Sequence, residues 1–173
     1  MSASGHEIDT FQFADDGRTP NHPRFPVIFY RAAFPGKGNL GDAIERCFRD
    51  NGWRGTWRWG VYPFHHYHCE AHEVLGCARG EALIRLGGEN GTDVRLTTGD
   101  AVLLPAGTGH CCLQNSSDFQ IVGAYPPGQS VDLVRSGEGD IARARERILE
   151  VPLPSTDPVA GPNGPLHCYW GKG

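Results

Sequence analysis

The feature that most constrains this chain is a dense series of short β-type segments between residues 53 and 125. At least seven runs of apolar or alternating residues follow one another there, and turns such as those at 89–92 and 99–100 separate them. Aromatic and β-branched residues that alternate with polar ones predict half-buried strands. Short strands at this close spacing are typical of a sandwich or a barrel. The sequence therefore predicts an all-β fold.

The composition agrees with a fold that contains many turns. The chain has 24 Gly and 13 Pro among 173 residues, which suits short strands joined by tight turns better than a helical bundle. Hydrophobic residues make up 39% and charged residues 21%, enough for one compact domain with its own core. We predict a single domain over residues 1–173, with an N-terminal arm and helix at 1–52, a barrel core at 53–126, and a C-terminal helix and tail at 127–173.

Two short helices are predicted beside the barrel. The first follows the apolar run at 25–30, carries Ile44 and Phe48 on one face, and is expected to be capped by Asn39. The second spans 140–150, with an apolar face formed by Ile141, Ala144, Ile148 and Leu149. Residues 1–24 are predicted to be an extended arm. The proline-rich tail is predicted to lack regular structure and to be held to the body by Tyr169 and Trp170.

Charge and hydropathy exclude several classes of partner. The net charge is −4 and no run of Lys or Arg occurs, so we expect no nucleic-acid partner. No apolar stretch approaches the roughly 18 residues that cross a bilayer, and the start of the chain lacks the pattern of a signal peptide. A cytoplasmic location is therefore expected. The six cysteines form no regular framework, and in this compartment we expect buried thiols rather than disulfides.

The histidines are the clearest chemical signal. His66 and His68 share one face of a predicted strand, whereas His65 has the opposite parity and is expected to face outward. Glu73 opens the next predicted strand and His110 begins a later one. Three neutral imidazoles and one carboxylate suit one divalent ion such as Fe, Mn, Ni, Co, Cu or Zn.

Two spaced motifs contain these residues. The first reads Gly60, five residues, His66-Tyr67-His68, four residues, Glu73, six residues, Gly80. The second begins 18 residues later and reads Gly99, five residues, Pro105-Ala106-Gly107, two residues, His110. Together they resemble the two motifs of the cupin superfamily, although Gln114 stands where the second motif usually closes with Asn.

The wider sequence is similar to bacterial YjlB-type cupins, and the similarity is carried by residues 15–30, 66–89 and 155–170. The resemblance implies a single jelly-roll barrel, or double-stranded β-helix, with one or two flanking short helices. It also implies four metal ligands, which are His66, His68, Glu73 and His110. It supplies a fold and a site but no reaction.

Five neighbours of the ligands have open roles. His72 precedes Glu73 at a turn, so it could replace Glu73 as a ligand or support the ligands from behind. Cys69 and Cys112 could lie beside the ion or simply fill the interior. Tyr62 and Phe64 share the parity of His66 and could line a substrate pocket.

The predicted function is that of a metal-dependent enzyme acting on a small oxygenated or aromatic molecule. Four protein ligands leave room on the ion for a substrate with two oxygens, and Fe(II) would favour dioxygenase chemistry. Other metals would favour an isomerase or a lyase. A non-catalytic module that binds a metal or small ligand, and a storage-type barrel, are the alternatives. We also expect a homodimer in which the run at 25–30 adds to a partner's sheet edge.

Overall fold

The computed structural model describes residues 5–171, and this part of the chain contains eleven strands and three helices. The strands are β1 (Glu7–Phe11), β2 (Val27–Arg31), β3 (Arg54–Trp59), β4 (His66–Tyr67), β5 (Glu73–Arg79), β6 (Glu81–Leu86), β7 (Thr92–Thr97), β8 (Ala101–Leu104), β9 (His110–Asn115), β10 (Gln120–Tyr125) and β11 (Val134–Arg135). The helices are α1 (Gly41–Asp50), α2 (Ile141–Glu150) and α3 (Pro165–Trp170). The ends of the predicted domain, residues 1–4 and 172–173, lie outside the described residues.

The strands form two antiparallel sheets that make the walls of a cupin jelly-roll barrel. One sheet has the order β1-β2-β8-β5-β10-β3, and the other has the order β11-β4-β9-β6-β7. Consecutive strands often lie in different sheets, as β4 and β5 do, so the chain repeatedly crosses the barrel. The predicted all-β fold and its cupin architecture are confirmed.

The barrel interior is filled by side chains that alternate along the strands. In β6, Ala82, Ile84 and Leu86 are buried while the residues between them are at least partly exposed. This period of two places one set of side chains inside and the other outside. Leu75 and Cys77 of β5 join the same cluster from the opposite sheet. Apolar burial between the two sheets therefore closes the barrel.

Helix α1 covers the outer face of the six-stranded sheet. Ile44 and Phe48 are fully buried there, and Gly76 of β5 allows the helix to approach closely. A Cβ atom at Gly76 would lie only 2.6 Å from Ile44 Cγ2. The N-cap is Leu40 rather than the predicted Asn39, although the Asn39 side chain still accepts a hydrogen bond from the Gly41 N–H at 2.8 Å.

The N-terminal region contributes more to the barrel than predicted. The arm expected at 1–24 contains β1, which pairs with β2. Strand β2 also pairs with β8, so it lies inside the sheet and cannot add to a partner's sheet edge as predicted. The reason is that β2 is apolar on both faces: Ile28 packs under α1 and Phe29 packs in the barrel interior. The homodimer itself stays a prediction.

The sheets also extend beyond the predicted core range of 53–126. Strands β1 and β2 precede this range and β11 follows it. Helix α2 begins as expected, because the Asp140 side chain accepts a hydrogen bond from the Arg143 N–H. Its buried residues are Ala144 and Ile148, whereas Leu149 is 51% exposed and does not join the apolar face.

The proline-rich tail is ordered, contrary to the prediction, and includes α3. Its anchor is the buried carboxylate of Asp157, which accepts hydrogen bonds from the Tyr30 hydroxyl (2.6 Å) and the Leu166 N–H (2.9 Å). Trp170 is buried and its Nε1–H donates to the Pro26 carbonyl at 2.8 Å. Tyr169 is exposed, so Trp170 alone of the two predicted anchors holds the tail.

No helix of residues 5–171 is long and apolar enough to cross a membrane. The predicted cytoplasmic location stays a prediction.

His22, in the loop before β2, makes the stability of the fold sensitive to acid. Its Nδ1 accepts hydrogen bonds from the backbone N–H groups of Arg24 (3.1 Å) and Phe25 (2.9 Å), so it must be unprotonated. Burial, with a smaller effect of the Arg24 charge, lowers the pKa of His22 from 6.5 to about 4. The folded protein thus binds this proton more weakly than the unfolded chain, and stability falls as the pH decreases from 6.5 toward 4.

We expect His22→Asn to reduce this acid sensitivity. Between pH 7.5 and pH 5, His22 should cost the native protein about 2 kcal/mol of unfolding free energy, or roughly 4–8 °C in Tm. Thermal melts followed by circular dichroism at both pH values should therefore show a smaller drop for the variant. The control His167→Asn, at a half-buried histidine of α3, should keep the native drop. Equal drops in the native protein and His22→Asn would contradict the assignment.

Candidate metal centre

Three imidazoles converge at one end of the barrel. His66 in β4 and His110 at the start of β9 are directly paired across neighbouring strands, and their ring centroids are 4.0 Å apart. His68 follows β4 two positions after His66 and therefore shares its face. One ligand nitrogen from each of the three lies within 4.8 Å of the others, and all three residues are buried. The three histidines could hold one metal ion.

The fourth predicted residue arrives from the opposite sheet. Glu73 is the first residue of β5 and is buried. Its Oε1 lies 3.3 Å from His110 Nε2 and 3.5 Å from His68 Nε2. The carboxylate thus faces the imidazoles across the barrel, as the motif spacing implies.

Main-chain carbonyls fix the orientation of all three rings. The Nδ1 atoms face Phe64 O for His66 (2.8 Å), Asp132 O for His68, and Thr108 O for His110 (3.0 Å). A carbonyl can only accept a hydrogen bond, so each Nδ1 carries the hydrogen. In a neutral ring the lone pair then lies on Nε2. This arrangement fixes the tautomer that metal-binding histidines need.

Burial and the neighbouring charges set the protonation of the centre. Burial, together with the nearby His110, lowers the pKa of His66 to about 3. Burial also opposes protonation of His68, but the charge of Glu73, the hydrogen bond to it and the Asp132 carbonyl together outweigh burial and raise the pKa of His68 to about 9. Burial would raise the pKa of Glu73, yet His68 and His110 hold it well below the ordinary value. Glu73 is therefore a carboxylate at neutral pH, and its negative charge balances the positive charge of protonated His68.

A cavity of about 330 Å³ opens from these residues to solvent. Its lining consists of Trp57, Trp59, Gly60, Val61, Tyr62, His66, His68, Glu73, Leu75, His110, Tyr125, Val131, Asp132 and Leu133. Tyr62 lines it as predicted. Phe64 does not, because its ring stacks behind Tyr62 at 4.9 Å and is covered on its own side by Arg135, whose guanidinium lies 3.9 Å from the Phe64 centroid.

Tyr125 is a site residue that the sequence did not indicate. Trp57 Nε1–H donates to its hydroxyl oxygen at 2.8 Å, and this directs the hydroxyl hydrogen elsewhere. Burial, followed by the charge of Glu73 and hydrogen bonding to it, raises the pKa of Tyr125 above its ordinary value. The phenol therefore stays protonated and supports the Glu73 carboxylate. Because Trp57 and Tyr125 lie on strands far apart in sequence, only the sheet pairing reveals this contact.

Asp132 is a second site residue that the sequence did not indicate, because it lies in a loop without a motif. Its carbonyl orients His68, and its carboxylate accepts hydrogen bonds from the N–H groups of Cys69 (2.9 Å) and Glu70 (3.0 Å). The loop is thereby tied to the end of β4.

His72 lies outside the metal centre, so neither role left open for it holds. Its Nδ1 accepts a hydrogen bond from the Ala106 N–H at 2.9 Å, and its ring centroid is 4.9 Å from that of Trp170. The physical reason is strand parity: His72 and Glu73 are adjacent and point to opposite sides of the sheet wall.

The two candidate cysteines act as interior filler. Cys69 is buried beside Ile148 of α2, and burial with a smaller effect of Asp132 raises the pKa of its thiol to about 12. Cys112 lies in the barrel interior, where its Sγ donates to the Gln114 carbonyl at 3.5 Å. Neither lines the cavity.

His65 is half-buried and does not belong to the group of three converging histidines.

The chain has a close relative in sequence. Over 166 residues it is 42% identical to a protein of Bacillus subtilis (strain 168) described as "Uncharacterized protein YjlB", and the match covers 96% of this chain and 98% of the relative. The chain belongs to the YjlB family of cupins. A scan against protein-family models found no match.

This YjlB-type protein also matches solved structures at low identity. A cupin 2 domain-containing protein from Halorhodospira halophila is 16% identical, with 86% of this chain and 84% of that chain covered and a TM-score of 0.37. Acireductone dioxygenase from Bacillus anthracis, with a cadmium ion in its active centre, is 16% identical over 70% of this chain and 77% of that chain, with a TM-score of 0.36. The chain spans only 27% to 54% of the length of the seed globulins and DMSP lyases it also matches.

We expect Asp132→Ala to lower the free energy of unfolding by about 1–3 kcal/mol, because two backbone N–H groups at the end of β4 lose their acceptor. Glu138→Ala, at an exposed acidic residue shortly after the loop, is the control and should stay within about 0.5 kcal/mol of the native protein. Urea denaturation measures both. If Asp132→Ala were as stable as Glu138→Ala, the tie between this loop and β4 would be unimportant.

Proposed function

We propose that this YjlB-type cupin is a metal-dependent enzyme that holds one divalent ion, of the Fe, Mn, Ni or Zn type, in each chain. The proposed ligands are His66, His68, Glu73 and His110. The observation that carries the proposal is the convergence of three buried imidazoles whose Nδ1 atoms all face main-chain carbonyls. That orientation directs three Nε2 atoms at one ion, which would displace the proton of His68 on binding, with a carboxylate to balance its charge.

The cavity defines what the protein can bring to the ion. The ligands occupy the barrel wall, so the side of the centre that faces the cavity is open to a small molecule. When bound, the ion supplies Lewis-acid stabilisation of negative charge on substrate oxygens, and iron adds reactivity toward O₂. Glu73 is a ligand in this proposal and therefore a poor general base. Dioxygenase-like chemistry on a small oxygenated or aromatic molecule is the leading proposal.

One observation favours a second candidate. Besides the proposed ligands, the cavity lining offers few groups that exchange protons, and the Asp132 carboxylate already accepts two backbone hydrogen bonds. A binding module that holds a metal or small ligand without turnover needs no such group. An isomerase or a lyase would need one, so these reactions fit the lining less well than an oxidative reaction does.

Metal content tests the ligand set. Purified native protein should contain about one divalent ion per chain, measured by plasma mass spectrometry, and His66→Ala or His110→Ala should lose most of it because each removes a ligand. His65→Ala is the matched control, since it changes the adjacent histidine, which the geometry places outside the group. Full metal content in His66→Ala and His110→Ala would show that the ligand set is wrong.

Oxygen consumption separates the two candidate functions. Protein loaded with Fe(II) should consume O₂ when a vicinal diol or hydroxyketone is added, and the same protein loaded with Zn(II) should not, because Zn(II) has no redox chemistry. His110→Ala should abolish the uptake. Stoichiometric Fe(II) without uptake across a broad panel of such compounds would favour the binding module.

A further inference from the structure

Exposed apolar side chains gather at the mouth of the metal-centre cavity. Within residues 5–171, eight large apolar side chains are exposed. Four of the eight line this cavity, namely Trp59, Tyr62, Val131 and Leu133. Single exposed apolar residues are ordinary on a protein surface, but a group around one opening marks a binding site. A site that only held a metal ion would gain nothing from such a rim.

The apolar character continues from this rim toward the ligands. Trp59 and Tyr62 form an edge-to-face pair with centroids 5.1 Å apart, and Tyr62 meets the His66 ring edge-on at 5.3 Å. Val61 and Leu75 also line the cavity. Aromatic rings in such arrangements bind flat apolar groups through stacking and edge contacts. The path from solvent to the imidazoles is therefore suited to a flat molecule.

The charges along the cavity disfavour an anionic substrate. None of the lining residues is Lys or Arg, and the lining includes the two carboxylates Glu73 and Asp132. The imidazoles offer no free N–H group, because their Nδ1 atoms face carbonyls and their Nε2 atoms point to the proposed ion. A carboxylate, sulfonate or phosphate substituent that does not itself bind the ion would lose its hydration here without gaining a cationic side chain as a partner.

From these observations we propose a substrate class: an uncharged, flat aromatic compound with two adjacent oxygens, as in a vicinal diol or a hydroxyketone. This inference rests on the proposed function, since the oxygens bind the ion beside His66 and His110. In this proposal the ring contacts the rim residues Trp59, Tyr62 and Leu133. A cavity of about 330 Å³ is at the lower end of the range of small-molecule sites, roughly 300–1,000 Å³, so the molecule is small.

Two chelating diols of different charge test the proposal. Native protein loaded with Zn(II), which cannot turn the ligand over, is titrated by calorimetry with neutral 2,3-dihydroxynaphthalene and with the disulfonated catechol Tiron. Both present the same pair of oxygens. We expect the neutral diol to bind at least tenfold more tightly. Metal content is measured after each titration, so that any loss of Zn(II) to the chelator is detected.

Variants of the rim locate the binding surface. Trp59→Ala and Leu133→Ala should weaken binding of the neutral diol about threefold to tenfold, with unchanged Zn(II) content, because each removes apolar contact with the ring. Leu149→Ala is the matched control, since Leu149 is 51% exposed but does not line this cavity.

The outcomes distinguish the substrate class from the metal centre. Three results would overturn the substrate class: Tiron binds as tightly as the neutral diol or more tightly, neither diol binds, or the rim variants bind like the native protein. In each case a measured content of one Zn(II) per chain would show that the metal centre itself is still present. A native protein that takes up no Zn(II) would instead overturn the proposed function, and the substrate class with it.

Discussion

Burial of the Glu73 carboxylate is the constraint on which the centre depends. An ionised carboxylate removed from water is destabilising unless other groups pair with it and donate hydrogen bonds to it. In this barrel the raised pKa of His68 lets its Nε2 donate to the carboxylate at 3.5 Å, and His110 Nε2 lies 3.3 Å from the same oxygen. Glu73 comes from one sheet and its imidazole partners from the other. The two walls must therefore hold a fixed alignment, and the apolar interior beside the centre maintains it.

Strand register provides the second requirement. His66 and His110 are opposite each other in the β4–β9 pair, and β4 is only two residues long. A shift of β4 by one residue would turn His66 away from His110 and the cavity, because side chains alternate between the faces of a strand. Strand β11 and the Asp132 loop secure β4 on its other side. A segment with no motif of its own thus determines the orientation of His68.

Most residues of the metal centre could be predicted from the sequence, because they belong to short motifs with fixed spacing along the chain. Alternation along the strands indicated an all-β fold, and the resemblance of two spaced motifs to those of the cupins implied the barrel and the grouping of His66, His68, Glu73 and His110. The role of His72 could not be predicted from the sequence, because the direction of its side chain depends on the residue at which β5 begins. Phe64 lies two positions before His66 and was therefore expected to share its face. The strand is interrupted between β3 and β4, so the Phe64 ring lies behind Tyr62.

Contacts between distant parts of the chain were not predictable in this way. Tyr125 lies beside Trp57 on a strand more than sixty residues away in sequence, and Asp157 orders the tail through Tyr30, which is more than a hundred residues away. Neither contact has a local pattern. The same is true of the apolar rim, which joins Trp59 and Tyr62 to Val131 and Leu133 only after the barrel has closed.

Anomalous diffraction at the absorption edge of the bound metal tests the central claim most directly. The account predicts one peak per chain at this end of the barrel, about 2.0–2.2 Å from the Nε2 atoms of His66, His68 and His110 and from an oxygen of Glu73. A peak elsewhere in the chain, or one coordinated through Nδ1 or a cysteine sulfur, would contradict it.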